Sequence, residues 1–162
     1  MSRFASIADR NAIEGEMPWR DREVAHSMMA FLDSVASRHG ARPAVSFQIL
    51  SGPTDRAETV TWSELRGRVI RAANLLRSLG IGENDVVAYV LPNSVETAVT
   101  LLAGSIAGIV NPINPLLEPE QIAAILRETG AKAVVTLRAF PKTDVAQKVA
   151  EALRHAPEVR TV

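Results

Sequence analysis

From Val24 onward the chain alternates helix-like and strand-like stretches, with glycine or proline at most of the joints. Residues 24–39 set Met28, Phe31, Leu32, Val35 and Ala36 on one helical stripe, and Gly40 follows as a C-terminal stop. A strand-like run, 44–50, and a short β-prone stretch, 58–61, flank turn residues at 51–55, which predicts a hairpin. At Thr61-Trp62-Ser63-Glu64 the pattern is a capping box, with Val60 and Leu65 placed as its hydrophobic staple. The helix that follows carries Leu65, Val69, Ala72, Ala73, Leu76 and Leu79, and ends at Gly80 with Ile81 set to contact Leu76.

The run 85–91 is almost continuously apolar, as suits a strand covered on both faces. Pro92 breaks it; Asn93 as cap and Glu96 at the third position predict a helix through about Ala107, ended by Gly108. The next segment, Asn111-Pro112-Ile113-Asn114-Pro115, reads as a loop, because two prolines deny a regular central strand. Pro119 opens a further helix bearing Ile122, Ile125, Leu126 and Thr129 to Gly130. A buried strand at 133–137, a helix over about 143–155 and a strand-like stub at 159–162 complete the pattern. The alternation predicts an α/β fold: a mostly parallel sheet of βαβ units with flanking helices.

The first 23 residues show weak periodicity and read as a polar N-terminal arm, either mobile or clamped on another surface. Arg3, Asp9, Arg10, Glu14, Glu16 and 20–23 interrupt the apolar core that an export signal needs, so the location expected is cytoplasmic. The longest apolar uncharged stretch, 97–110, is too short to span a bilayer. Composition then narrows the chemistry. The 162 residues carry 18 basic and 18 acidic side chains, which argues against a nucleic-acid partner. Without cysteine there is no disulfide framework, thiolate metal site or cysteine nucleophile.

The motifs that remain each have an ordinary use. Gly80 and Gly82 follow a helix, whereas a dinucleotide fingerprint opens one after a strand. None of Lys132, Lys142 and Lys148 ends a phosphate-binding glycine loop. His26, His39 and His155 lack metal-ligand spacing and read as solvated helix positions. Glu118 and Glu120 flank Pro119 in a first helical turn, where the helix dipole favours acids; a catalytic carboxylate pair is the rarer use. Ser46, Ser63 and Ser94 lack a nucleophile-elbow context, and Ser63 and Ser94 sit where capping is usual. The least ordinary segment is 111–115, at the edge of the sheet where open α/β folds bind ligands, with a structural loop as its plainer reading.

The order of these pieces resembles the adenylate-forming acyl-CoA synthetases, to which luciferases and peptide-synthetase adenylation domains are related. The matching residues are 61–65, 75–88, Leu91-Pro92-Asn93-Ser94, Ala107-Gly108, 111–115 and 131–136. One departure, Asn84 where the family more often has Gly, bears only on the turn, since Asn also adopts the left-handed region.

The resemblance implies an N-terminal fragment of such an enzyme. Residues 24–162 would form the first subdomain of the large N-terminal domain, incomplete at its C-terminal end. The parent would use ATP, magnesium and coenzyme A to activate a carboxylic acid as acyl-adenylate and pass it to the thiol. By the resemblance, the phosphate loop and catalytic lysine lie beyond Val162, so no catalytic, cofactor-binding or metal position falls in this chain. The chain alone is expected to bind no cofactor, to be inactive and, with faces left for missing subdomains, to self-associate. Two alternatives stand beside this: a stand-alone binding or interaction module, and the start of a peptide-synthetase adenylation domain.

Overall fold

The computed structural model describes residues 6–18, 21–22, 24–48, 52, 54–138 and 143–162. The elements are α1 (Ile7–Glu16), α2 (Met28–His39), β1 (Pro43–Phe47), β2 (Glu58–Thr61), α3 (Trp62–Ser78), β3 (Val86–Val90), α4 (Val95–Ala107), β4 (Ile109–Ile113), α5 (Pro119–Thr129), β5 (Ala131–Thr136) and α6 (Val145–Leu153). Strands β1 and β2 form an antiparallel hairpin; β4, β3 and β5 lie in that order in a parallel sheet. The C-terminal stub extends that sheet. Thr161 bridges Ala133 in parallel, and the Val134 N–H donates to the Thr161 carbonyl at 2.9 Å.

The central strand explains the layers. Val87 faces a cluster with Leu65, Val69 and Leu76 of α3, Val95 and Ala103 of α4, and Leu32 of α2. Ala88 and Val90 face Ile122 and Leu126 of α5 and Val145 and Val149 of α6. A parallel strand has no solvated face, so each side must be roofed by helices. Burying an aliphatic side chain of this size contributes about 1.5–3 kcal/mol. Exposed ion pairs such as Arg66–Asp33 (2.5 Å) contribute less than about 1 kcal/mol each, so the two apolar layers dominate.

Local chemistry sets the element ends. The Thr61 hydroxyl accepts the Glu64 N–H at 3.3 Å, and the Glu64 carboxylate accepts the Thr61 N–H at 2.8 Å. Those hydrogen bonds hold the Glu64 carboxyl below its ordinary range. Gly80 has φ +85°, and the Ile81 N–H reaches the Leu76 carbonyl at 3.1 Å, closing a Schellman turn. At the amino edge of the sheet, Lys132 binds Asp85 at 2.5 Å while the Gly82 N–H donates to the same carboxylate at 2.9 Å. The lysine first, and then that N–H, hold the Asp85 carboxyl below its ordinary range.

Several expectations change. The first helix of the 24–39 segment begins only at Met28, behind the Ser27 cap, and its Phe31 is exposed. Gly40 is right-handed, so its role is not a left-handed stop; a Cβ there would collide with the Ser63 hydroxyl and the Ala36 carbonyl. Leu79 points outward instead of into the core. Ser94, not Asn93, caps α4 by accepting the Thr97 N–H. Residues 111–113 belong to strand β4 and not to a loop; β4 has no strand outside it among the described residues, which tolerates Pro112. Within the polar arm, Ser6 and Asp9 form a capping box that starts α1, a helix with no buried residue. Ile49 and Leu50 of the predicted strand, and Ser51 and Pro53 of its turn, lie outside the described residues. Among the described residues no helix is long and apolar enough to cross a membrane.

Two glycines test this account differently. Gly108 is extended, and a Cβ on it would meet the Asp85 carbonyl and, at 2.7 Å, that of Gly82. Gly80 has open space around it and only an unfavourable φ. Gly108→Ala should therefore lower stability by roughly 2–3 kcal/mol, and Gly80→Ala by about 1 kcal/mol. Urea midpoints at unchanged m-value measure both; equal losses would contradict the packing argument.

Candidate functional site

Three parallel strands end level, since Val90 is the register partner of both Ile113 and Thr136. The connections that leave them therefore gather at one edge of the sheet. β3 and β5 are neighbours, yet α4 after β3 packs on one face and α6 after β5 on the other. Such a reversal opens a crevice between the two strand ends, where open α/β sheets bind ligands.

A crevice of ≈ 450 Å³ lies there, lined by Arg68, Leu91, Glu96, Val99, Thr100, Val135, Thr136 and Leu137. That volume is on the scale of small-molecule sites. Its walls are mostly aliphatic, and its polar groups are largely committed. Arg68 pairs with Glu58 at 3.1 Å, and the Thr136 hydroxyl donates to the Val90 carbonyl at 3.1 Å. Thr100, a buried residue whose hydroxyl keeps contact with solvent, and the exposed Glu96 have no hydrogen-bond partner among the described residues. None of these polar residues was singled out from the sequence as a site residue. Only the polar end of the 133–137 run hinted at Thr136, because the crevice is assembled from α3, α4 and the ends of β3 and β5, which spacing does not connect.

The residues that the sequence did single out lie apart and do not converge on this crevice. Asn114 accepts the Leu116 N–H on its side chain at 3.0 Å and the Leu117 N–H on its carbonyl at 3.2 Å, holding the turn after β4. The Asn111 amide donates to the Thr129 hydroxyl at 3.4 Å. Both asparagines thus act on structure. Glu118 does not pair with Glu120: its carboxylate binds Lys148 at 3.1 Å, with Asp144 3.5 Å from the same ammonium. Ser46 bonds Thr59 at 2.9 Å. Gly80 and Gly82 are spent on the helix stop and the Asp85 turn. His26 and His39 are exposed, and His155 stands 3.9 Å from Glu151.

The donor set does not fit a magnesium–triphosphate group. Among the described residues no three His, Asp or Glu side chains gather as a metal site. The crevice offers one guanidinium, which is already paired. Its chemistry is that of an apolar wall with a few hydrogen-bonding positions.

A family model described as AMP-binding enzyme matches residues 32–162. The chain is 35% identical over 136 residues to an acetyl-coenzyme A synthetase of Sodalis glossinidius, covering 81% of this chain and 20% of that protein. It is 33% identical over 115 residues to a 4-coumarate–CoA ligase of Pinus taeda, covering 70% and 20%. It spans about a fifth of the length of these curated relatives. Its fold resembles the N-terminal domain of FACL13 from Mycobacterium tuberculosis, with TM-score 0.67 and 24% identity over 83% of this chain and 32% of that one. A benzoate CoA ligase from Burkholderia xenovorans LB400 gives TM-score 0.67 at 23% identity, over 83% and 25%.

Lys148 supplies a pH test of this edge. The Glu118 hydrogen bond, with help from Asp144, raises its pKa above the ordinary 10.5. A raised folded-state value means that the contribution is complete below the unfolded value and is lost as pH climbs through the folded one. The urea midpoint of the native chain should exceed that of Glu118→Gln at about pH 9 and converge on it toward about pH 12. A gap that stays constant over that range would show that the Lys148 charge is not what Glu118 stabilises.

Proposed function

The chain belongs to the AMP-binding enzyme family, and on that premise we propose that it forms the first subdomain of an AMP-forming acyl-CoA synthetase. The whole enzyme would join a carboxylate to ATP, releasing pyrophosphate and forming an acyl-adenylate. The thiol of coenzyme A would then attack the acyl carbon, expel AMP and leave the thioester. The observation that supports this most is continuous similarity at about a third identity to ligases that join acids to coenzyme A. The acids in those names differ, so the acyl group belongs to the rest of the enzyme in this reading. A cytoplasmic setting without nucleic-acid partners belongs to it too, given the charged arm and zero net charge.

In this proposal the 162 residues are scaffold. They supply one wall of a ligand-binding edge, with a polar group or two, while phosphate and metal chemistry falls to residues after them. Exposed Leu75, Leu79, Ile109 and Leu116 would then be faces that further subdomains cover.

Two outcomes test the reading. In pyrophosphate–ATP exchange with a panel including acetate and 4-coumarate, the 162-residue chain should give no turnover above the blank; robust exchange would overturn the scaffold assignment. In light scattering at high concentration the chain should run above its 17.5 kDa monomer mass, and Leu75→Lys with Leu79→Glu should restore the monomer. A native chain that stays monomeric throughout would refute self-association.

A further inference from the structure

β5 breaks the alternation that a regular strand keeps. Ala131 and Ala133 stand two apart, a spacing that shares a face in an unbroken strand. Yet Ala131 belongs to the apolar cluster of Ile122 and Leu126, and Ala133 to that of Leu65 and Val69 on the other face. The register locates the break: Val86 pairs with Ala131, and the next residue, Val87, with Ala133. Lys132 is therefore an extra residue, a bulge in a parallel pair, where bulges are rare. Beyond it the strands agree again. Val134 lies with its partner Ala88 in the α5–α6 layer, and Val135 packs on the α3–α4 layer.

The bulge acts at both ends of β5. At the amino end it turns Lys132 out of the ladder, with the ammonium on Asp85 at 2.5 Å and the carbonyl accepting the Arg160 N–H at 2.9 Å. In an unbulged strand counted from Ala131, Lys132 would pair with Val87 and enter the α3–α4 layer. An ammonium there would lose its water among apolar neighbours. Every later residue would also change face, turning Val134 toward the crevice and Val135 away from it. In the observed register Val135, Thr136 and Leu137 supply one wall of that crevice.

We propose that Lys132 is a positioning residue for the crevice. As a side chain that the core cannot accept, anchored on Asp85, it forces the bulge and so selects which face of β5 lines the crevice at the far end of the strand. Its bearing on ligand binding rests on that crevice being the ligand-binding edge; the choice of face does not.

The chain has no cysteine, so a single introduced thiol reports its own face. Val135→Cys places the thiol on the crevice, and Val134→Cys places it in the α5–α6 layer, where Val134 is 2% exposed. With methyl methanethiosulfonate on the folded full chain, the Val135→Cys thiol should react at least about tenfold faster, because a buried thiol waits for local opening. Lys132→Arg keeps the charge and should keep that order. Lys132→Val admits the unbulged register, and the two rates should level or reverse while circular dichroism still reports a folded chain. Deleting Lys132 removes only the extra residue, so 133–136 keep their faces and the native order should survive. Should Lys132→Val not fold, the deletion decides alone. The native order retained in folded Lys132→Val, lost in the deletion variant, or missing from the otherwise native chain would overturn the proposal. None of these rates depends on the acyl-CoA synthetase assignment, which the exchange assay tests separately.

Discussion

The structure depends on the burial of β3 from both sides. Val87, Ala88 and Val90 are fully buried, and their alternation directs one set of contacts to α3 and α4 and the other to α5 and α6. A strand hydrogen-bonded to neighbours on both edges and covered on both faces has no solvated surface left. The helices must therefore divide between the faces. Because the chain places β5 beside β3 and on the opposite side from β4, the helix-bearing connections reverse between neighbouring strands. The ligand-sized crevice is a geometric result of that order, before any particular side chain is considered.

The joints make the layering rigid. Gly108 brings the end of α4 against the carbonyls of Asp85 and Gly82, and the Ile109 N–H donates to the Asp85 carbonyl at 2.9 Å. The Asp85 side chain meanwhile binds Lys132 at the start of β5. The residue that opens β3 thus contacts both strands beside it. The amino edge is held by backbone contact and charge, which leaves the carboxyl edge with looser side-chain cavities.

Legibility followed how local each signal is. The Thr61 box, the Gly80–Ile81 turn and the Pro119-to-Gly130 helix were readable because each is settled within a few residues. Helix α1 was not, since a helix without a buried face has no apolar stripe to reveal it. The cap at Ser94 was misplaced by one residue, because Asn93 and Ser94 are chemically equivalent candidates until the backbone chooses. β4 was missed because the rule against proline holds for central strands, and only the topology shows that β4 has one strand neighbour. The crevice was invisible for a stronger reason. Arg68, Thr100 and Thr136 meet only through folding. Family likeness, by contrast, was carried by the order of the pieces, which needs no contact map.

The 4-3-5 strand order also has a consequence in time. The Val90 carbonyl receives the Thr136 hydroxyl across 46 residues of chain, so one edge of β3 stays unpaired until β5 has been synthesised. During that interval a short, uncharged, β-prone segment with one backbone edge and the face later covered by α6 still open is the sort of stretch that pairs with other chains. The polypeptide is most vulnerable at ribosomal lengths between its third and fifth strands, and its most secure strand at equilibrium is its most exposed one during birth.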